Sequence, residues 1–213
     1  MSRFRLAIIT VVAGGVLVVF SLGTLLYLDD SSGSRDGVDM ASLLKPRGPF
    51  SLVDHNGRNV TDQDYRGKFM LVFFGYTYCP DVCPTELQTM SDALDLLGGN
   101  AQKVQPIFIS VDPERDTPDV LAEYVSAFYP TLVGLTGTPE QIATAAESYY
   151  ARYNRLSPLS ESEEGEDDDD YFMGHTSATY LIGPKGGDLH VFNYGDPPEV
   201  IAERIQHFIN TRL

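Results

Sequence analysis

Only two of the 213 residues are cysteine, Cys79 and Cys83, and both fall within FFGYTYCPDVCPTEL, residues 73–87. So small a supply excludes a disulfide framework and leaves no second pair to complete a four-ligand structural zinc site. Basic residues are scarce as well, with Lys and Arg totalling 15 against 30 Asp and Glu, for a formal charge of −15. A phosphate-backbone binder needs a basic face, so nucleic acid is not an expected partner. Internal repeats are absent, and the one low-complexity segment is ESEEGEDDDD, residues 161–170. Its eight acids read as a solvated loop; a weaker reading has it steer a basic partner or cations. Apolar residues make up 43% of the chain, enough for one core of domain size.

Charge is missing altogether from Leu6 to Leu28, LAIITVVAGGVLVVFSLGTLLYL. As a helix this run would reach about 34 Å and cover a hydrocarbon core of about 30 Å. Arg3 and Arg5 precede it and Asp29 and Asp30 follow it, so the positive-inside bias makes residues 1–5 a cytoplasmic stub and puts the rest across the membrane. A cleaved signal peptide would have a shorter apolar core and a small-x-small site, which LLYLDD does not offer. A mitochondrial presequence would place Arg and Ser ahead of any apolar run. The expectation is an uncleaved anchor over 6–28 in a bacterial inner membrane, with the functional domain on the periplasmic side. Residues 29–48 are polar, carry Gly and Ser, and read as a linker; the domain occupies 49–213.

Within that domain, FSLVDHNGRNVT alternates around Asn56-Gly57, a β-hairpin signal. KFMLVFFGY is a continuous apolar run of the kind a doubly buried strand shows, and TELQTMSDALDLLG follows with helical spacing at Leu87, Met90, Leu94 and Leu97. VQPIFISV and TPDVLAEYVSAF repeat the unit, and LVGLTG with TPEQIATAAESYYARY repeats it again; both helices open on Thr-Pro. SATYLIG and LHVFNYG form a further hairpin through PKGGD, and an amphipathic helix closes the chain. The order predicts an α/β domain with a central mixed sheet flanked by helices, a thioredoxin-like pattern.

The cysteines sit at the first strand-helix joint. A helix starting at Pro80 would need an amide hydrogen at residue 84, which is proline, so the expected start is Pro84. Cys83 then lies near the N-cap, where orphan amides and the positive helix end favour a thiolate, and both sulfurs are expected to be reactive rather than buried. A bridge between them would close too short a loop to stabilise the domain much. Metal chelation and a redox couple both remain open: the pair is one residue wider than Cys-x-x-Cys, and two soft sulfurs suit Cu(I) or zinc but need a third donor from elsewhere. Of the four histidines, His55 falls in a hairpin turn, His190 in a strand and His207 in a polar stretch of the last helix, each with an ordinary structural reading. His175 stands just before SATYLIG, where the sheet could bring it beside the strand ending in Cys79, although on position alone an ordinary loop histidine is the simpler reading.

Three motifs taken together, FFGYTYCPDVCPTEL, ISVDPERDTPDVL and HTSATYLIGPKG, resemble the SCO/SenC proteins in order and spacing, from about residue 46 to the C-terminus. The resemblance implies a membrane-anchored copper metallochaperone of thioredoxin-like fold that assists assembly of the binuclear copper centre in cytochrome c oxidase subunit II, with a periplasmic copper donor as a further partner. It implies Cys79 and Cys83 as thiolate ligands and His175 as the imidazole ligand of copper, held as Cu(I), with Cu(II) left open. Asp112 corresponds to an acidic position behind the ligands; capping the turn before the next helix is its competing reading. Two departures stand out, Gly174 where family members often have Asp, and the length of the acidic run. Met173 could offer a thioether but fits as a gap filler. The rival function is a thiol-disulfide reductase that uses Cys79 and Cys83 to keep the oxidase cysteines reduced, and a third is a tethered binding domain with inert cysteines. No peroxidase-type single-cysteine motif is present.

Overall fold

The computed structural model describes residues 48–156 and 171–212. The expected anchor at 6–28, nearly all of the linker and the acidic run lie outside them; among the described residues no helix is long and apolar enough to cross a membrane. The chain opens with a hairpin of β1 (Ser51–Asp54) and β2 (Asn59–Thr61), in which Leu52 faces Val60. Gly57 takes a φ of 77° in its turn, and buried Asp54 accepts from the backbone of Asn56 and Arg58 and from the Arg58 guanidinium.

β3 (Phe69–Gly75) and β4 (Val104–Ser110) are buried along their whole length and pair in parallel, from Phe69 opposite Val104 to Gly75 opposite Ser110. Each of the fully buried rings Phe69, Phe73, Phe74 and Phe108 is worth about 1.5–3 kcal/mol of apolar transfer. α1 (Val82–Leu97) joins them and buries Leu87, Met90, Leu94 and Leu97. α2 (Pro118–Val125), capped by the Thr117 hydroxyl on the Val120 amide, leads to β5 (Val133–Thr136), which is parallel to β4. α3 (Pro139–Ser148) opens on a capping box of Thr138 and Gln141.

Two further strands, β6 (Tyr153–Leu156) and β7 (Phe172–His175), pair antiparallel as a separate two-stranded ribbon. β8 (Thr179–Ile182) returns to the main sheet antiparallel to β3, β9 (Asp188–Phe192) pairs with β8, and α4 (Pro198–Arg212) packs on α1. The seven strands run β2-β1-β5-β4-β3-β8-β9, a mixed sheet of thioredoxin-like type.

One expectation needs correction here. The third helix was expected to run to Tyr153 but ends at Ser148, because Tyr150 adopts a left-handed φ of 55°. Its amide donates to Glu147 and that of Ala151 to Ala146, the paired hydrogen bonds of a Schellman end made with tyrosine where glycine is usual. The chain thereby turns out of the helix and into β6, a strand that the helical pattern had concealed.

Candidate metal centre

Because β3 and β4 end in register, residues 76–81 and 111–117 leave the same edge of the sheet. β8 runs the other way, with Thr179 opposite Phe73, so the chain entering it crosses that edge as well. Three connections thus converge, carrying Cys79 with Cys83, the DPERDT turn, and His175.

α1 begins at Val82, two residues earlier than expected. Proline at 84 forbids a bond from residue 84 to residue 80, and the first helical bond is the next one available, from the Thr85 amide to the Asp81 carbonyl at 3.2 Å. The expectation for Cys83 is also overturned. Its sulfur is not exposed at the helix start but fully buried against β3, so close that a Cβ on Gly75 would lie 2.7 Å from it. Burial pushes the Cys83 thiol well up, with only a backbone hydrogen bond at Tyr76 in opposition. The helix-start amide points instead at the partner: the Cys83 N–H donates to the half-buried Cys79 sulfur at 3.4 Å. Both cysteines are free thiols.

His175, the last residue of β7, places Nε2 3.4 Å from the Cys83 sulfur. One atom each from Cys79, Cys83 and His175 fall within 4.8 Å of one another. Burial lowers the imidazole's affinity for a proton, so the ring is kept neutral. Nδ1 lies 3.2 Å from the Thr176 carbonyl, and a proton held there leaves the Nε2 lone pair directed at the sulfurs. Phe73 and Tyr76 flank the ring in T-shaped contacts, each with its centroid at 5.9 Å from the imidazole's. The orienting bond thus comes from backbone rather than from residue 174, whose Cβ, if present, would meet Asn154 Oδ1 at 3.0 Å. Met173 packs against the core.

Asp112 is buried and accepts from the Tyr171 hydroxyl at 2.7 Å and from Arg115 Nε at 2.6 Å. The cap of the following helix is Thr117. A second acid of the same turn, Asp116, had gone unremarked in the sequence. It accepts from the Thr77 amide at 3.0 Å, the Thr77 hydroxyl at 2.6 Å and the Ser110 hydroxyl, and so fixes the chain two residues before Cys79. Burial holds its carboxyl above the ordinary range. The signal for it was a second Asp immediately before a Thr-Pro helix start. The other histidines stand apart from the cluster: His55 Nδ1 accepts from the Gly134 amide, His190 meets Phe192 in a T-shaped contact, and His207 lies on the exposed face of α4.

Two sulfurs and one neutral imidazole nitrogen form a soft three-donor set, the kind that suits Cu(I) and that hard cations such as Mg²⁺ or Ca²⁺ disfavour. A family model described as SCO1/SenC matches residues 39–210. The human protein named SCO1 homolog, mitochondrial, is 44% identical over 160 residues, 74% of this chain; the chain spans only 51% of that relative. Protein SenC of Rhodobacter capsulatus is 40% identical over 182 residues, covering 85% of this chain and 78% of its own. Among solved structures, Bradyrhizobium japonicum ScoI with copper bound matches with a TM-score of 0.68 at 44% identity, over 76% of this chain and 99% of that one. Motifs, fold and matches agree, and the chain belongs to the SCO1/SenC family.

Proposed function

We propose that this chain is a copper metallochaperone that binds Cu(I) through Cys79, Cys83 and His175 and assists assembly of the binuclear copper centre in cytochrome c oxidase subunit II. The observation that carries this reading is the meeting of three soft donors, within 4.8 Å, from segments 92 positions apart in sequence. Three-coordinate Cu(I) leaves an approach open for a fourth donor, so a thiolate of the partner can enter before a ligand of this chain leaves. Copper is cargo in this scheme, received from a periplasmic donor and passed on by ligand exchange. The apolar run 6–28 tethers the domain to the periplasmic side of a bacterial inner membrane, and the linker 29–48 gives it reach. Metal analysis after competition with a chelator tests the copper site. The wild type retains about one Cu(I) per chain, Cys79→Ser and Cys83→Ser lose it, and His175→Ala holds it more weakly; full retention by Cys79→Ser overturns the proposal.

A thiol-disulfide reductase is supported by a different observation, the pairing of free Cys79 and Cys83 with an amide hydrogen bond between them. Half-exposed Cys79 would be the attacking thiol and buried Cys83 the resolving one. Such a reductase has no use for His175. Reduction of an oxidised subunit II peptide at the wild-type rate by His175→Ala would favour this second activity.

A further inference from the structure

His175 rides on a ribbon of only two strands, which lies outside the main sheet. A two-stranded hairpin is marginal by itself and needs packing to stay in one place. What ties the ribbon to the cysteine loop is therefore what brings the third donor to the other two. Tyr171, the residue just before β7, is held both by the DPERDT turn and by its own ribbon: its hydroxyl donates to Asp112 Oδ1 at 2.7 Å, with Glu114 Oε2 at 3.5 Å, its carbonyl accepts from Arg115 Nη1 at 3.0 Å, and the guanidinium groups of Arg115 and of Arg155 on β6 each lie over its ring at 3.6 Å. The guanidinium is itself aimed by Asp112, through Nε at 2.6 Å. It also reaches the other half of the site, with Tyr78 and Tyr76 at 4.8 Å and 5.9 Å from its carbon to their ring centroids. Those tyrosines flank the residues leading into Cys79. One mostly buried, planar cation therefore touches both halves of the donor cluster.

We propose that Arg115, aimed by Asp112, is a positioning residue that clamps Tyr171 and the ribbon onto the Cys79 loop and so determines whether His175 ligates the metal. The inference rests on the copper reading above and adds a residue and a job to it. Arginine is required because the task combines a fork of donors with a flat face. Lysine offers a point charge and no plane to lay on Tyr171, and so cannot replace it.

The test uses the full chain loaded with Cu(I), with Arg115→Met, Arg115→Lys, Tyr171→Leu and His175→Ala compared with wild type. X-ray absorption counts sulfur and nitrogen neighbours of copper, and chelator competition gives affinity. Both Arg115 variants and Tyr171→Leu are expected to keep two sulfurs, lose the nitrogen neighbour, and bind Cu(I) about tenfold more weakly, in the range seen when residues supporting a ligand are removed. Arg115→Met combined with His175→Ala should be no weaker than His175→Ala alone, because both act through one contact. A merely structural role would lower the melting temperature and leave the nitrogen neighbour in place. Retention of that nitrogen at wild-type affinity in Arg115→Met, or in Tyr171→Leu should the arginine variants not fold, overturns the clamp. If the wild type binds no Cu(I), or His175→Ala binds as tightly as wild type, the copper reading itself fails instead.

Discussion

Gly75→Ala tests how tightly the cysteine joint is built into the core. A Cβ at this position would lie 2.7 Å from Cys83 Sγ, 2.9 Å from Phe108 Cε2 and 3.0 Å from Phe73 Cε1. Ordinary contacts of this kind are about 3.5–4.0 Å, so the sulfur and at least one ring must retreat by about an ångström. Neither has room, since Cys83, Phe73 and Phe108 are all fully buried in one cluster. Overpacking of this sort costs about 1–3 kcal/mol, which lowers the melting temperature of a domain this size by roughly 2–12 °C. The same push acts on a metal donor, so Cu(I) affinity should fall along with stability. Gly99→Ala serves as the control, because its Cβ would meet nothing within 4 Å and the backbone there is not left-handed. Thermal denaturation of the metal-free protein and chelator competition on the copper form are the assays. Equal melting temperatures and equal affinities in Gly75→Ala, Gly99→Ala and wild type would refute the packing argument.

Two further predictions concern stability of the metal-free protein. Glu86 is buried and accepts from the Thr179 hydroxyl at 2.7 Å; burial holds its carboxyl above the ordinary value of 4.5 despite that bond. The folded state therefore holds this proton more tightly than the unfolded chain does, so the group's contribution is fully present below pH 4.5 and is lost as pH rises through the folded-state value. Glu86→Gln keeps an oxygen for Thr179 and should flatten the fall in denaturant midpoint between that pH and neutrality; a wild-type slope in the variant would contradict it. At the end of α3, Tyr150 is substantially exposed and carries a left-handed φ of 55°. Tyr150→Gly relieves a strain of about 1 kcal/mol and should raise the denaturant midpoint, whereas a lower midpoint would mean that the tyrosine ring contributes more than its backbone costs.

The elements that could be read from the sequence are those whose signal is local. The unbroken apolar runs at 69–75 and 104–110 announced strands buried on both faces, and Thr117-Pro118 and Thr138-Pro139 marked helix starts that the caps reproduce. The β6–β7 ribbon gave no such signal. Most of YNRL is exposed, its partner strand lies beyond residues 157–170, and the helix before it stops on a tyrosine where the usual mark is glycine. Cys83 shows a different limit. Its place at a helix start was legible to within two residues, and the electrostatics of that place argue for a thiolate. Which way the side chain points was not legible, and it points into the sheet, where desolvation outweighs the helix end. The nearest sequence clue was Gly75, a residue without a side chain at the end of an otherwise bulky strand.

The same division explains what kind of metal site the fold can offer. Cys83 is immobilised by the core, Cys79 sits at the rim of the strand-helix joint, and His175 is carried by a ribbon secured from outside the sheet. Under the copper reading the three bonds are therefore unequal in how easily they can be exchanged. A ligand anchored in the core cannot follow an incoming partner, whereas one on a two-stranded ribbon outside the main sheet needs only its ties to the cysteine loop to loosen. Ligand exchange would then proceed from the rim inward, with His175 or Cys79 yielding first and Cys83 last. Such an order lets the ion stay bound to two or more soft donors throughout the transfer, which a site made wholly of rigid core ligands could not do.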